Sequence, residues 1–385
     1  MPDSILTPDQ IAQGMTGALL ADGPGRTSAL LPSPMVQNHA AFLSRGANGR
    51  LDCLWFGGSL EGKSDICIYR STLAPGSANW TPAEQLSNSD SESEQNPVQF
   101  HTPDGRTLLI HTAQPGGDQD RCVVRLREIG RAPVDLPLPL GSFVRGAVHV
   151  RADGAWLLPL FHCTHAPGAR WTGRHDTASV AISADQGQTW RLVPVPGSTG
   201  CVHMTIVDLG QGRLAAFFRR RQADFVYRTA SEDVGESWST PQPTDVPNNN
   251  SSIGVIRLAD GRIAMVCNPI NASQSPDRRV SLYDELGDDT RPEAMGGCTP
   301  IWGVPRAPMV LAMSIDEGRS FAQRLVVQDG PGTCLSNNSL DGKNFELSYP
   351  SINQAPDGGL DIAYTLHRRA IKHVRLSPEH LKALQ

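Results

Sequence analysis

Two short turn motifs alternate along this chain, and together they leave few folds open. The first is S-x-D-x-G-x-[ST]-[WF]. It occurs as SADQGQTW (Ser183 to Trp190), SEDVGESW (Ser231 to Trp238) and SIDEGRSF (Ser314 to Phe321), with a worn version, STLAPGSANW, beginning at Ser71. This is the composition of a hairpin turn. Ser and Asp side chains bond the local backbone, Gly takes the position needing φ > 0, and the aromatic packs beneath. The second motif is a small Gly turn running into an apolar strand: ANGRLDCLWF, PDGRTLLIHT, ADGAWLLPLF, GQGRLAAFFR, ADGRIAMVCN and PDGGLDIAYT. Its glycines are Gly49, Gly105, Gly154, Gly212, Gly261 and Gly358, spaced 56, 49, 58, 49 and 97 residues apart.

Two alternating hairpin signals are the pattern of a four-stranded meander, with the Gly turn first and the Ser-Asp turn third. Six such units predict an all-β fold, a six-bladed β-propeller built as one domain over residues 1–385. The 97-residue gap predicts an insertion in blade five, at about 271–308. The last unit shows three clear strands, so an N-terminal segment is expected to supply the fourth and close the ring. Short helices are expected to start at Thr7-Pro8 and Ser377-Pro378, each with an N-cap followed by Pro at the first helical position. The abundance of Gly (37) and Pro (30) fits a chain made of turns.

Net charge is −5, so the molecule as a whole offers no basic field for nucleic acid, and any attraction for an anion must be local. No apolar run approaches the length of a membrane span, and no secretory signal is visible at the N-terminus, so a cytoplasmic location is expected. The eight cysteines are scattered singly, several inside apolar runs, which reads as buried free thiols. No nucleotide-binding loop or full metal-ligand set is visible. His162 and His165 of HCTH are two isolated ligand types, so no metal and no organic cofactor are expected.

Counting back from the turn glycines locates the residues that open each inner strand, around the axis of the wheel. Nine residues back lie Asn96, Arg145, His203, Ser252 and Tyr349; in blade one, with a longer turn, Asn38 and His39 hold the place. The second strands return to the same face, ending at 55–58, 111–114, 162–165, 219–221, 268–269 and 367–369. The two sets are expected to line one central pocket, with Arg219, Arg220, Arg221 and Arg369 as candidate cations. Alternate side chains on a strand point opposite ways, so at most two of the three consecutive arginines can face it. The other pairs with an acid such as Asp224. A ring of polar residues also simply solvates a propeller mouth, but His, Arg, Tyr and Asn are the types that bind and react.

The Ser-Asp boxes at this spacing resemble the Asp-box repeats of the sialidase (neuraminidase) superfamily, in its "predicted neuraminidase" branch. The resemblance implies an arginine triad clamping a sugar carboxylate. It also implies a tyrosine nucleophile, a glutamate activating it, and an aspartate acid/base on a loop. Tyr349 in SYPSINQAPDGGLDIAY resembles the nucleophile motif. Arg219 resembles the second arginine and Arg306, in GVPRAPMVLAMSIDEG, the third, while Arg145 is a further candidate for an acidic group. The acid loop corresponds to GGSLEGKSDICIYRS, which offers Glu61 or Asp65. Two departures stand out: LPSPMVQNHAAFL holds no arginine where the superfamily has an Arg-Ile-Pro-like motif, and the glutamate position is His203.

Three activities fit this set. A glycosidase acting on an acidic glycan would use His203 to take the proton of Tyr349 and Glu61 or Asp65 as the acid. A lyase eliminating at a uronic acid would use His39, His203, Tyr349 and an arginine. A glycan-binding propeller would use the same pocket without turnover.

Overall fold

The computed structural model of the chain describes residues 6–164, 168–275, 291–330, 332 and 346–382. Six antiparallel sheets follow one another along the sequence, as expected of a six-bladed β-propeller. Blade one runs from Gln37–Arg45 to Glu84–Gln85, blade two from Glu92–His101 to Val134–Asp135, and blade four from Cys201–Gly210 to Gln242–Pro247. Blade five runs from Gly254–Arg257 to Gln323–Gln328. In blade three the innermost strand is split into Ser142–Val144 and His149–Val150, both paired with Trp156–His162. Blade six contains Leu347–Gln354, Leu360–Leu366 and Ala370–Leu376, and the N-terminal strand Arg26–Leu30 pairs with the last of these. One blade therefore holds both ends of the chain, which ties the first strand to the last and leaves the ring without an open seam.

The turn chemistry behaves as its composition implies. All six glycines of the Gly turns have positive φ, from 78° to 90°. In each Ser-Asp turn the serine hydroxyl bonds its aspartate and accepts from the glycine N–H, at 2.8 Å in all three copies. Asp185, Asp233 and Asp316 each accept from the backbone N–H four residues further on. Packing makes the glycine obligatory as well. A Cβ on Gly318 would lie 2.2 Å from the Phe217 ring, and one on Gly235 would lie 2.5 Å from Leu157. Each of these turns thus rests on the blade before it. The core follows the same plan, filling the spaces between adjacent sheets: Phe217, Ala215 and Val207 of blade four meet Val255, Ile263 and Met265 of blade five.

The two terminal helices occur where expected. Pro8–Gly14 is capped by Thr7, whose side chain accepts from Gln10 N–H while Gln10 bonds back, and Pro378–Lys382 follows Ser377. The seven described cysteines are unpaired, and six of them are buried; Cys334 and His165 lie outside the described residues.

The count back from the turn glycine needs one correction. Nine residues before Gly49 is Ala40, and Ala40, not Asn38 or His39, is the residue that matches its counterparts: it has φ +63° and sits in a register shift between His39 and Phe42. Asn96, His203 and Tyr349 have φ of +51°, +54° and +51°, each inside the same kind of shift. Blades one, two, four and six therefore open with a β-bulge whose extra residue is left-handed, a device that re-aims a side chain toward the axis. The first blade has no longer turn; its bulge residue simply lacks a functional side chain.

Candidate functional site

All six blades contribute to one pocket over the axis. Glu61 comes from blade one, Gln95, Asn96 and Gln119 from blade two, and Phe143, Phe161 and Trp171 from blade three. His203, Arg219 and Arg221 come from blade four, Arg306 from the approach to the third strand of blade five, and Tyr349 and Arg368 from blade six. The bulges at Asn96, His203 and Tyr349 explain why these residues, far apart in sequence, share a wall.

Tyr349 is the centre of the arrangement. Arg219 donates from Nη1 to its hydroxyl oxygen at 2.6 Å. His39 lies against the ring with centroids 4.2 Å apart, and His203 meets it edge-on at 5.4 Å. The guanidinium carbons of Arg145, Arg219 and Arg306 are 5.5, 5.7 and 5.7 Å from the ring centroid. Burial alone would raise the phenol, but the charges of Arg219 and Arg306 outweigh it and hold Tyr349 below its ordinary range. Burial, aided by the surrounding arginines, keeps His203 well below the usual histidine range; His39 is held low by burial and Arg368. Both imidazoles are therefore neutral at pH 7.

The strand Arg213–Arg220 and the residue after it sort the three arginines by parity. Arg219 and Arg221 face the pocket; Arg220 points away, lies over the Tyr227 ring at 3.9 Å and pairs with Asp224 at 3.4 Å. Arg220 is thus not a pocket residue, whereas Arg221 is. Arg221 is nearly fully buried, salt-bridged to Asp176 at 2.7 Å, with the rings of Trp171 and Trp302 5.4 and 5.0 Å away. Trp302 belongs to the blade-five insertion, whose segment 291–308 also brings Arg306 to the pocket.

Other candidates move. Arg145 sits beneath the pocket and spends its donors on the carbonyls of Ala40, Ala41, Tyr349 and Pro350 and on the Ser252 hydroxyl. Its role is to hold inner strands together. Asn38 is fully buried, accepting from Trp55 Nε1 and Ser33 Oγ and donating to the carbonyls of Met35 and Arg369, so it braces the fold outside the pocket. Asp65 is exposed and folds its loop by accepting from Ser59 N–H and Oγ–H, leaving Glu61 as the loop's acid in the pocket. Arg369 does not line the pocket; its neighbour Arg368 does, from the tip of the last hairpin, where φ is +57°.

Sequence reasoning missed Arg368 and Glu346. Glu346 accepts from Arg306 Nη1 at 2.6 Å and Arg368 Nε at 3.0 Å, and Arg368 Nη1 also donates to Glu61. Burial would raise Glu346, but Arg306 and Arg368 override it and keep the carboxyl well below the usual carboxylate range. The signal for Arg368 was present, since the last hairpin reads HRR; which of the two arginines faces inward is set by the turn. Glu346 precedes the strand by one residue and has no periodic mark.

Charge bookkeeping gives the pocket a direction. Arg221 is matched by Asp176, and Arg306 and Arg368 by Glu346 and Glu61. Arg219 has no carboxylate partner among the described residues; besides Tyr349 it donates only to Asn250 Oδ1, at 2.7 Å. A buried guanidinium of this kind attracts an anion.

Among solved structures, the Hadza microbial sialidase Hz136 is similar with a TM-score of 0.67 and 13% identity, over 91% of this chain and 67% of that one. A protein of unknown function from Dyadobacter fermentans aligns at 0.66 and 15%, over 92% and 100%. Trypanosoma rangeli sialidase aligns at 0.64 and 11%, over 94% and 61%, so this chain spans less than two thirds of that protein. At such identities the likeness is one of fold. A comparison with curated proteins gives no match. Residues 49–362 match the BNR repeat-like domain, and the chain accordingly belongs to that family, with a sialidase-like propeller as its fold.

Proposed function

We propose that the protein is a glycosidase of sialidase type, releasing a carboxylate-bearing sugar from a glycan with Tyr349 as nucleophile. The observation that carries this reading is Arg219: a buried cation without an acidic partner among the described residues, hydrogen-bonded to the tyrosine that would attack. The substrate carboxylate would settle on Arg219 and Arg306, bringing the anomeric carbon to Tyr349 Oη. A phenol suits this task because a carboxylate nucleophile would be repelled by the substrate's own charge. Tyr349 Oη, its proton already given up to solvent, forms the bond to the anomeric carbon as the glycosidic bond breaks, and Glu61 protonates the leaving oxygen. Water then displaces the tyrosine, giving its proton back to Glu61. Glu61 must leave Arg368 to do this.

A second reading rests on a different observation, the pair of neutral histidines flanking Tyr349. β-Elimination at a uronic acid needs a cation on the carboxylate, a base for the C5 proton and an acid for the leaving oxygen; Arg219 would supply the cation, and Tyr349 the base and then, with the proton it has taken, the acid, between two imidazoles that add no competing charge. One experiment separates the two. The protein is incubated with aryl sialosides and with uronate-containing oligosaccharides, following released phenol and the ultraviolet absorbance of an unsaturated uronate. Phenol release is expected; a new absorbing uronate instead transfers the pocket to lyase chemistry, and neither signal leaves glycan binding.

A further inference from the structure

Resting on the role just given to Tyr349, the geometry points to Arg219, and no side-chain base among the described residues, as the group that activates it: the guanidinium stabilises the tyrosine oxygen as a phenolate before substrate arrives. In the 2.6 Å bond Arg219 is necessarily the donor, since guanidinium has no acceptor, so Tyr349 Oη accepts a hydrogen bond there and gives none to a base. The two side chains placed to act as bases do not reach the oxygen. His203 meets the ring at 77° and makes no side-chain hydrogen bond among the described residues, its Nδ1 being buried without a partner. His39 holds Thr365 Oγ1 through Nδ1 at 2.9 Å and lies against the ring face. Neither histidine, neutral and packed on carbon, relays a proton from Oη.

Arg219 is itself fixed. Its Nε bonds Asn250 Oδ1, and Asn250, left-handed at φ +55°, donates to the Ile301 carbonyl at 2.9 Å. The charges around Tyr349 come from every neighbouring element. Arg145 of blade three, Arg219 and Arg221 of blade four, Arg306 of blade five and Arg368 of blade six are cationic. Glu61 of blade one opposes them, and Glu346 of blade six neutralises Arg306 and Arg368. The tyrosine sits among these with its phenol held low against the effect of burial, and its proton passes to solvent through the pocket. A phenolate so prepared is a nucleophile in hydrolysis and a base in elimination, so either chemistry can use it.

The test needs no substrate. The chain has five tyrosines. Burial raises Tyr69, Tyr227 and Tyr364, and Tyr283 lies outside the described residues, so the early step in tyrosinate absorbance in the intact ligand-free protein is assigned by its loss in Tyr349→Phe. Wild type is expected to ionise one phenol below the ordinary tyrosine range, and Tyr349→Phe to remove that step. Arg219→Gln should weaken that ionisation at least about tenfold, one pH unit; Arg219→Lys, which keeps the charge without the fork, should fall between, and it serves if Arg219→Gln does not fold. His203→Ala should leave the step in place. A wild type without the step, an Arg219→Gln step that stays put, or a His203→Ala shift as large as that of Arg219→Gln overturns the assignment. Absence of turnover on every sugar would sink the glycosidase reading and leave this titration intact, so the two failures are distinguishable.

Discussion

Arg145 lies directly beneath Tyr349, its Nη2 donating to the tyrosine's own carbonyl at 3.2 Å while the same nitrogen holds Ala41 at 2.8 Å. One buried guanidinium thereby joins the inner strands of blades one and six to blade three, with Ser252 of blade five as a fourth contact. Burial brings it down to about 10, so it stays charged at neutral pH. Arg145→Met would leave several strand carbonyls buried without donors, each costing about 1–3 kcal/mol. A loss of at least about 3 kcal/mol in urea denaturation is expected; a variant as stable as wild type would show that water or a neighbour replaces the clamp.

Arg219 and Arg220 are adjacent and face opposite ways, which makes a matched pair of variants informative. Arg219→Ala removes the donor at Tyr349 and is expected to lower turnover by roughly 100- to 1,000-fold, the range for deleting one preorganised donor. Arg220→Ala loses the Asp224 pair and the Tyr227 contact outside the pocket, and should retain turnover within about tenfold. Steady-state rates on whichever sugar the protein accepts decide this; equal losses would contradict the strand parity.

Glu61 and Asp65 divide the blade-one loop. Glu61→Gln keeps the shape but supplies no proton, so it should slow sugars with poor leaving groups by roughly 100-fold or more and aryl glycosides much less. Asp65→Asn keeps one acceptor for Ser59 and should change both little. The ratio of the two substrate classes for each variant is the measurement, and a Glu61→Gln enzyme indifferent to the leaving group removes Glu61 as the acid.

The buried histidines set the acid limit of stability. His39, His203, His111 and His367 are all held down chiefly by burial, His111 to about 3 and His367 to about 4. Below about pH 6.5 the unfolded chain takes up protons that the folded chain refuses, so stability must fall as pH falls from there toward 4. The slope is about 1.4 kcal/mol per pH unit for each such histidine. Glu346 and Asp361, held low by cations, add a loss of the same sign at lower pH, while Glu94, raised by burial, acts the other way. Denaturation midpoints that stay flat between pH 7 and 5 would mean that these imidazoles already accept protons in the fold.

The placement of the bulges shows how far a sequence carries. Asn96, His203 and Tyr349 were legible by counting because each lies at a fixed distance from a glycine whose conformation is local. The same count in blade one lands on Ala40, whose side chain gives nothing to read, and the eye moves to Asn38 and His39. His39 still reaches Tyr349; Asn38, one residue away, is turned into the fold. Arg368 and Arg369 differ only in their place on a hairpin tip, and Glu61 and Asp65 only in which side of a loop they occupy. Choices of this kind depend on side-chain direction, which local composition leaves open.

The amino-acid order alone determined the turns, their number and hence the wheel of six sheets, because a positive φ and a side-chain-capped hairpin need only neighbouring residues. It also determined that histidine, tyrosine and arginine gather at the hub. Which arginines face the pocket, which of those lacks an acidic partner among the described residues, and that Arg145 serves as an axle were decided by the packing of six blades against one another. Burial and charge pairing are properties of residues brought together from far along the chain, and no stretch of sequence contains them.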